Sequence, residues 1–249
     1  MPTMDPTVRP DGSRQASPAL VAVVAGVATD VGKTWVAARV AEQLRHSGLV
    51  VAARKPVQSH EPGDVGTDAI VLAAATGEEV GAVCRNHRDY AVAMAPPMAA
   101  SVLGAAPFSV TDLVTELEWP RDCDVGLVET AGGIRSPIAA DGDTLELIEQ
   151  LGPDVVLLVA DAGLGVINAL RLCLGALDPI RPVVVLNRFD SGSDLHRRNL
   201  AWLHDVDGID PVTSPEDLAA VLVRLHNVRS SRLQLAQDGS SGGTPTRAP

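Results

Sequence analysis

Short aliphatic runs alternate with amphipathic segments through the central part of the chain. The aliphatic runs predict buried strands, and the segments with helical periodicity predict helices. The predicted strands cover residues 20–25, 49–54, 125–129, 155–160 and 182–187. The predicted helices cover residues 33–46, 67–75, 110–117, 144–151, 166–177, 193–204 and 215–226. This alternation is typical of a mostly parallel sheet with helices on both faces, so we expect an α/β fold.

Both ends of the chain lack this periodic pattern. Residues 1–18 are rich in Pro, Ser, Asp and Arg, and residues 229–249 have a similarly polar composition. Segments of that kind bury too little apolar surface to become ordered. We therefore predict disordered tails at residues 1–18 and 229–249, around a single domain at residues 19–228, which is an ordinary length for one α/β domain.

The composition favours a cytoplasmic enzyme with an aliphatic core. Hydrophobic residues make up 46% of the chain, but aromatic residues only 2%. The net charge of -11 argues against nucleic acid or an anionic membrane as a partner. The cysteines lack zinc-ligand spacing, no apolar stretch is long enough to span a membrane, and the first residues lack a secretory signal pattern.

The turn after the first predicted strand has the sequence Gly-Val-Ala-Thr-Asp-Val-Gly-Lys-Thr, residues 26–34. Glycines let the backbone approach an anion, and the helix that follows attracts phosphate through its N–H groups and its dipole. Lys33 would reach the β- and γ-phosphates, and the Thr34 hydroxyl would ligate Mg²⁺, as in a P-loop. Five residues separate Gly26 from Gly32, whereas the usual P-loop has four. We interpret the segment as a nucleotide site; the alternative is an ordinary strand-to-helix turn.

Further polar residues follow other predicted strands, at the sheet edge where ligands of parallel sheets bind. Lys55 follows the second strand and would project toward the P-loop, or lie on the surface. Asp68 opens a predicted helix, which fits either a helix cap or a Mg²⁺ ligand. Glu129 ends the third strand, a layout that places a carboxylate on Mg²⁺ or one water away from it.

Asn187 ends the fifth predicted strand, in the sequence Asn-Arg-Phe-Asp. A side-chain amide offers a donor and an acceptor that match the edge of adenine. The same sequence is similar to the Asn-Lys-x-Asp of GTP-binding proteins, in which the aspartate, here Asp190, accepts from guanine. Asn and Asp are also common turn residues. ATP or a relaxed base specificity is favoured over GTP, and the choice of base stays open.

Taken together, these segments resemble the dethiobiotin synthetases of biotin biosynthesis. The family has a P-loop with the same five-residue gap, followed by Lys-Pro-Val, Thr-Asp-Ala, a Val-Glu segment ending in Gly-Gly, and Gly-Leu-Gly-x-Ile-Asn. The matching positions here are residues 26–34, 55–57, 67–69, 128–133 and 163–168. Their order and spacing agree over roughly residues 20–190, which is most of the predicted domain.

The resemblance implies a single P-loop NTPase domain that catalyses an ATP-dependent ring closure. In this family, 7,8-diaminopelargonic acid captures CO₂ as a carbamate on one amine. The γ-phosphate of ATP passes to that carbamate, and the second amine displaces phosphate to form the cyclic urea. ATP is thus a co-substrate and Mg²⁺ the cofactor. The family also implies a homodimer, in which the partner's segment at residues 165–168 receives the carboxylate tail of the substrate.

The resemblance also assigns site residues. Lys55 and Lys33 would be catalytic, Ser59 would contact the substrate, and Thr34, Asp68 and Glu129 would hold Mg²⁺. The implied nucleotide-binding residues are Asp30, Val31, Gly32, Lys33, Thr34, Trp35, Asp68, Glu129, Thr130, Ala131, Gly132, Asn187 and Arg188.

Four positions depart from the family pattern. Val27 and Ala28 replace Thr-Asp, Thr130 replaces a glycine beside the phosphates, and Ala169 replaces a histidine. These changes leave the nucleotide and metal positions intact and bear mainly on the organic substrate. They keep open a regulatory or divergent paralogue that binds nucleotide without closing the ring.

Two other classes share parts of the pattern. Amidotransferase-type synthetases have a similar P-loop but normally carry a glutaminase domain, for which 249 residues leave no space. Partition-type ATPases carry an additional lysine near the start of the P-loop, and residues 26–30 contain none. We therefore expect the synthetase.

Overall fold

A parallel sheet of five strands forms the centre of the structure, a computed structural model that describes residues 17–240 and, for residues 233–240, the backbone alone. The strands of the described region are β1 (Leu20–Gly26), β2 (Val51–Arg54), β3 (Gln58–Ser59), β4 (Asp89–Tyr90), β5 (Val125–Glu129), β6 (Val155–Asp161) and β7 (Val183–Asn187). The main sheet has the order β2-β5-β1-β6-β7. The α/β fold class predicted from the sequence is confirmed.

Strand β1 occupies the middle of this sheet, and its two neighbours set the position of the P-loop. Leu20 pairs with Val125 of β5, and Ala22 pairs with Val155 of β6. The chain leaves β1 toward β2 on one side, whereas β6 and β7 lie on the other side. The carboxyl end of β1 is therefore next to the point where the strand order reverses, which is where ligands bind to such sheets.

Helices cover both faces of the sheet. Successive side chains of each strand point to opposite faces, and because both sets are apolar, both faces must be buried. Ala22 and Val24 of β1 pack in one core cluster, and Val23 and Ala25 pack in the other. The helices of the described region are α1 (Lys33–His46), α2 (Asp68–Thr76), α3 (Val80–Val83), α4 (Pro96–Val102), α5 (Val110–Thr115), α6 (Thr144–Leu151), α7 (Val166–Leu177), α8 (Asp194–Asp205) and α9 (Pro215–Ser240). Helices α1, α2 and α9 cover the first face, and α6, α7 and α8 cover the second.

A smaller unit beside the main sheet was not predicted. Strands β3 and β4 form a separate parallel pair, in which Gln58 lies opposite Asp89. A third core cluster lies beneath this pair and contains Tyr90, Phe108 and Ile138. A strand of two residues shows no hydrophobic period, so the pattern of the sequence could not identify it.

The bounds of α1, α6, α7 and β5 were predicted correctly, but the last helix differs. It was predicted to end at residue 226, and α9 continues to Ser240. Arg229 forms an ion pair with Asp154 at the start of β6, so α9 contacts the domain beyond the predicted end. Residues 1–16 and 241–249 lie outside the described residues, and the predicted tails and domain boundaries stay predictions.

Within residues 17–240, none of the helices combines the length and the apolar character that crossing a membrane requires.

Candidate active site

The P-loop connects β1 to α1 at the centre of the sheet. Gly26 ends β1, and Gly32 precedes the first helical residue, Lys33, with φ of 86° and ψ of 32°. This left-handed conformation suits glycine, which has no Cβ. Lys33 is 7% exposed, and its Nζ donates to the carbonyl oxygen of Ala28 at 3.2 Å. The loop therefore wraps around its own lysine at the N-terminus of α1, where an anion is favoured.

Four side chains from distant parts of the sequence meet beside Lys33. Thr34 Oγ1 lies 2.7 Å from Asp68 Oδ1 and 2.8 Å from Glu129 Oε1. Lys55 Nζ lies 2.6 Å from Asp68 Oδ2 and 2.7 Å from Glu129 Oε1. It also donates to the carbonyl oxygen of Thr130 at 3.2 Å. The structure thus brings together the residues that the sequence predicted for phosphate and metal binding.

Burial and charge pairing decide the protonation of this cluster. Burial alone would lower the pKa of Lys55, but the carboxylates of Glu129 and Asp68 outweigh it and hold that pKa above its usual range. Burial would likewise raise the pKa of Asp68, but the charge of Lys55 and hydrogen bonds from Lys55 and Thr34 lower it to about 2. Burial raises the pKa of Glu129, and attraction to Lys55 opposes this only in part.

Lys33 and Lys55 are the two lysines of the whole chain, and both belong to this site. Burial, followed by repulsion from Lys55, lowers the pKa of Lys33, whereas Glu129 and Asp68 act in the opposite direction. Two cations and two carboxylates therefore balance each other in one group, in which Lys33, Lys55 and Glu129 are buried and Asp68 is partly exposed. An incoming polyphosphate would find the cations already in place, so little reorganisation is needed on binding.

The donor atoms of Thr34, Asp68 and Glu129 fit a magnesium ion. Mg²⁺ prefers hard oxygen ligands and is usually held by one or two carboxylates together with substrate phosphates. Glu129 is 1% exposed, and its Oε2 is buried without a hydrogen-bond partner among the described residues. A buried carboxylate oxygen without a partner is costly, and a bound cation would satisfy it.

A cleft of about 910 Å³ opens above this cluster. Most of the predicted site residues line it, namely Asp30, Gly32, Lys33, Thr34, Trp35, Lys55, Ser59, Asp68, Glu129, Ala131, Gly132 and Arg188. Val31, Thr130 and Asn187 do not line it. Thr130 is fully buried, and its hydroxyl has no hydrogen-bond partner among the described residues. The departure at Thr130 therefore places its side chain in the interior and not against the cleft.

Asn187 and Arg188 lie at the end of β7, next to the P-loop. The amide of Asn187 donates to the carbonyl oxygen of Val31 at 2.9 Å and is 6% exposed. Arg188 donates to the carbonyl oxygen of Asp30 at 3.1 Å and forms an ion pair with Asp161 at 2.6 Å. Both residues thus contact the loop itself, and base recognition by Asn187 stays a prediction.

One wall of the cleft was anticipated only in part, through Ser59, which the resemblance assigned to the substrate. It is formed by β3 and by the segment that leads into α4. Ser59 Oγ donates to the carbonyl oxygen of Met94 at 2.6 Å, and His60 Nε2 lies 2.8 Å from Asp89 Oδ1. Thr29 and Thr67 also line the cleft and lie within the motifs at residues 26–34 and 67–69. Lining residues that were not assigned to the site are Gln58, His60, Glu61, Asp64, Gly66, Val71, Ala93, Ala95, Ser136 and Pro137. The pairing of β3 with β4 is what brings this wall to the site.

Comparisons with known proteins give the family to which the sequence is similar. The model of a family described as an AAA domain matches residues 21–192. An ATP-dependent dethiobiotin synthetase of Haloferax mediterranei is 32% identical over 200 residues, which cover 77% of this chain and 82% of that protein. One from Caulobacter vibrioides is 38% identical over 159 residues, covering 62% and 72% of the two chains. One from Streptomyces coelicolor is 35% identical over 195 residues, covering 76% and 80%.

Proposed function

Because the chain belongs to the dethiobiotin synthetase family, we propose that it is an ATP-dependent cyclo-ligase that forms the ureido ring of dethiobiotin from 7,8-diaminopelargonic acid and CO₂. The observation that carries this proposal is the cluster of Lys33, Lys55, Asp68 and Glu129 with Thr34 at the base of one cleft. It combines a phosphate-binding loop with a second buried lysine, which phosphate binding alone does not require.

The second lysine suits the chemistry of the reaction. CO₂ adds to one amine of the substrate, and the nitrogen releases a proton to give a carbamate anion. This anion must then approach the anionic γ-phosphate of ATP. A carbamate oxygen attacks phosphorus, and ADP leaves. Two negative groups meet in this step, so fixed positive charge lowers its barrier. Lys33 and Lys55 provide that charge from buried positions, where water screens it little, and the carboxylates of Asp68 and Glu129 offset part of it.

The ring closes in the second step. The other amine attacks the carbonyl carbon of the carbamoyl phosphate and releases a proton, the bond from that carbon to the phosphate oxygen breaks, and inorganic phosphate leaves. Attack requires that the two amines are held close together, and positioning of that kind supplies much of the rate enhancement of such enzymes. We assign Ser59 to the substrate side of the cleft, since its hydroxyl lies on the wall formed by β3.

Mg²⁺ held by Thr34, Asp68 and Glu129 would add positive charge next to the transferring phosphate. We further propose a homodimer, in which the surface around Leu164, 92% exposed, faces the partner. A cytoplasmic location, and the absence of nucleic acid and membrane partners, stay predictions.

The test is a reconstituted reaction with purified protein. Diaminopelargonic acid, bicarbonate, Mg²⁺ and ATP are supplied, phosphate release is followed, and dethiobiotin is identified by mass spectrometry. We expect phosphate and dethiobiotin in equal amounts, with no phosphate when the diamine is omitted. Phosphate release that is independent of the diamine would instead support the divergent paralogue, which the departures at Val27, Ala28, Thr130 and Ala169 motivate.

A further inference from the structure

Two consecutive side chains at the end of β7 contact two consecutive carbonyl groups of the P-loop. Asn187 donates to the carbonyl oxygen of Val31 at 2.9 Å, and Arg188 donates to that of Asp30 at 3.1 Å. Arg188 is itself fixed by Asp161, whose carboxylate lies 2.6 Å from the guanidinium. The loop is therefore attached at two adjacent peptide groups to the ends of β6 and β7.

The backbone is strained where these contacts occur. In the described part of the chain, the non-glycine residues with positive φ are Asp30, at 60°, and Arg188, at 56°. Left-handed backbone is unfavourable for residues with a Cβ and persists where the surrounding structure enforces it. These two residues are joined directly by the hydrogen bond from Arg188 to the Asp30 carbonyl. The strain is thus concentrated in the contact between β7 and the loop.

The contacts also fix the direction of the loop's N–H groups. A trans peptide is planar, so its carbonyl oxygen and the N–H of the next residue point in opposite directions. Asn187 is buried and does not line the cleft, so the Val31 carbonyl points into the protein. The N–H of Gly32 must then point the other way, and Gly32 lines the cleft. This N–H is one of those that a phosphate would meet at the start of α1.

Space around Asn187 is tightly restricted. A Cβ placed on Gly32 would lie 2.1 Å from Asn187 Nδ2, so the amide sits directly against the glycine. The loop and the amide therefore fit together as one unit.

We propose that Asn187 and Arg188 are positioning residues that hold the P-loop in its phosphate-binding conformation, and that their main effect is on phosphate affinity and not on recognition of the base. The proposal deepens the proposed function, since it rests on the nucleotide site of that cleft. If it is correct, loss of either contact should weaken the binding of every polyphosphate ligand by a similar factor, whether or not the ligand has a base.

The experiment measures binding of inorganic tripolyphosphate, ATP and GTP to the full chain by isothermal titration calorimetry with Mg²⁺. For Asn187→Ala we expect a loss of about tenfold for all three probes, which corresponds to one hydrogen bond of about 1.4 kcal/mol. Arg188→Ala should show the same uniform loss, and Arg188→Lys, which keeps a cationic donor, should recover part of it. Arg171→Ala serves as the matched control, because Arg171 forms an ion pair with Asp207 at 2.7 Å and does not line the cleft.

The outcomes separate this proposal from its rivals. If Asn187→Ala weakens ATP but leaves tripolyphosphate unchanged, or alters the ratio of ATP to GTP affinity, Asn187 reads the base and the proposal is wrong. If Asn187→Ala fails to fold, Asp161→Asn decides, because it releases the Arg188 side chain from its ion pair without removing the cation, and Asp161 does not line the cleft. Unchanged affinity for all three probes in that variant would overturn the proposal. Binding without ring closure in the diamine assay would overturn the proposed function and leave this inference standing. A native chain that binds none of the probes would overturn both.

Discussion

Replacement of Lys55 by methionine tests whether the buried ion pairs hold the site together. Met fills a similar volume without charge, so the change isolates electrostatics from packing. Lys55 is 2% exposed and Glu129 is 1% exposed, which leaves the Glu129 carboxylate buried without a cation in the variant. Breaking a buried pair in this way costs about 3–5 kcal/mol. The contact with Asp68 adds only about 1 kcal/mol, because 41% of that side chain is exposed and solvent screens the pair.

This cost is large relative to the total stability of a domain, which is about 5–15 kcal/mol. The assay is urea denaturation without nucleotide and with a chelator, at pH 8 and at pH 5. We expect Lys55→Met to lose about 3–5 kcal/mol at pH 8. The double variant Lys55→Met with Glu129→Gln removes both charges, and it should recover at least about 2 kcal/mol of that loss. Arg39→Met, which removes the exposed pair with Glu42, should cost less than about 1 kcal/mol.

The loss of unfolding free energy in Lys55→Met should depend on pH, in a direction set by the pKa of Glu129. Burial already raises the pKa of Glu129 in the native chain, and loss of Lys55 raises it further. A carboxyl whose pKa is higher in the folded state stabilises the fold below its unfolded pKa, and this contribution is lost as the pH rises through the folded value. The deficit of Lys55→Met should therefore be smaller at pH 5 than at pH 8. An equal deficit at both pH values, a loss below about 1 kcal/mol at pH 8, or a double variant no more stable than the single one would show that the buried ion pair does not stabilise the site in this way.

Three further predictions concern the loop and the metal. Lys33→Ala should reduce both nucleotide affinity, measured by calorimetry, and turnover, whereas Lys55→Met should abolish turnover and leave affinity within a few-fold; equal effects would contradict the separate roles. Gly32→Ala should abolish nucleotide binding, because φ is 86° and the added Cβ would lie 2.1 Å from Asn187 Nδ2. The control is Gly48→Ala, which has the same φ but no atom within 4 Å of the added Cβ, and it should cost only about 1 kcal/mol in urea denaturation. Removal of divalent metal with a chelator should stop phosphate release and added Mg²⁺ should restore it; phosphate release that continues with the chelator would remove the metal from the proposed site.

The sequence predicted the central sheet and the phosphate cluster because both follow from strong local patterns. Helix α1 and strand β5 have clear periods and were placed at their observed bounds. Lys55 follows one strand and Glu129 ends another, and parallel strands bring their carboxyl ends to one edge of the sheet, so their meeting could be anticipated.

Other features depend on contacts between distant residues, which no local pattern carries. The polar sequence after residue 228 resembles a tail, yet α9 continues there and Arg229 pairs with Asp154. The position of Asn187 at the end of a strand was predicted correctly, but the sequence could not show that the amide turns toward the Val31 carbonyl. The hydrophobic pattern of a sequence predicts where a strand ends. The direction of a side chain at that end depends on its contacts with the neighbouring loop.

Because the chain has only two lysines, reagents specific for lysine would label few positions in it. Reagents that acylate or reductively alkylate lysine side chains modify many surface positions in most proteins. Here they have only Lys33 and Lys55 as lysine targets, and both are buried at the base of the cleft. These reagents attack the unprotonated amine, so Lys33, whose pKa is lowered by burial, is the more reactive of the two. The extent of its labelling, read by mass spectrometry, would report on access to the phosphate site, and its protection by added nucleotide would report on occupancy.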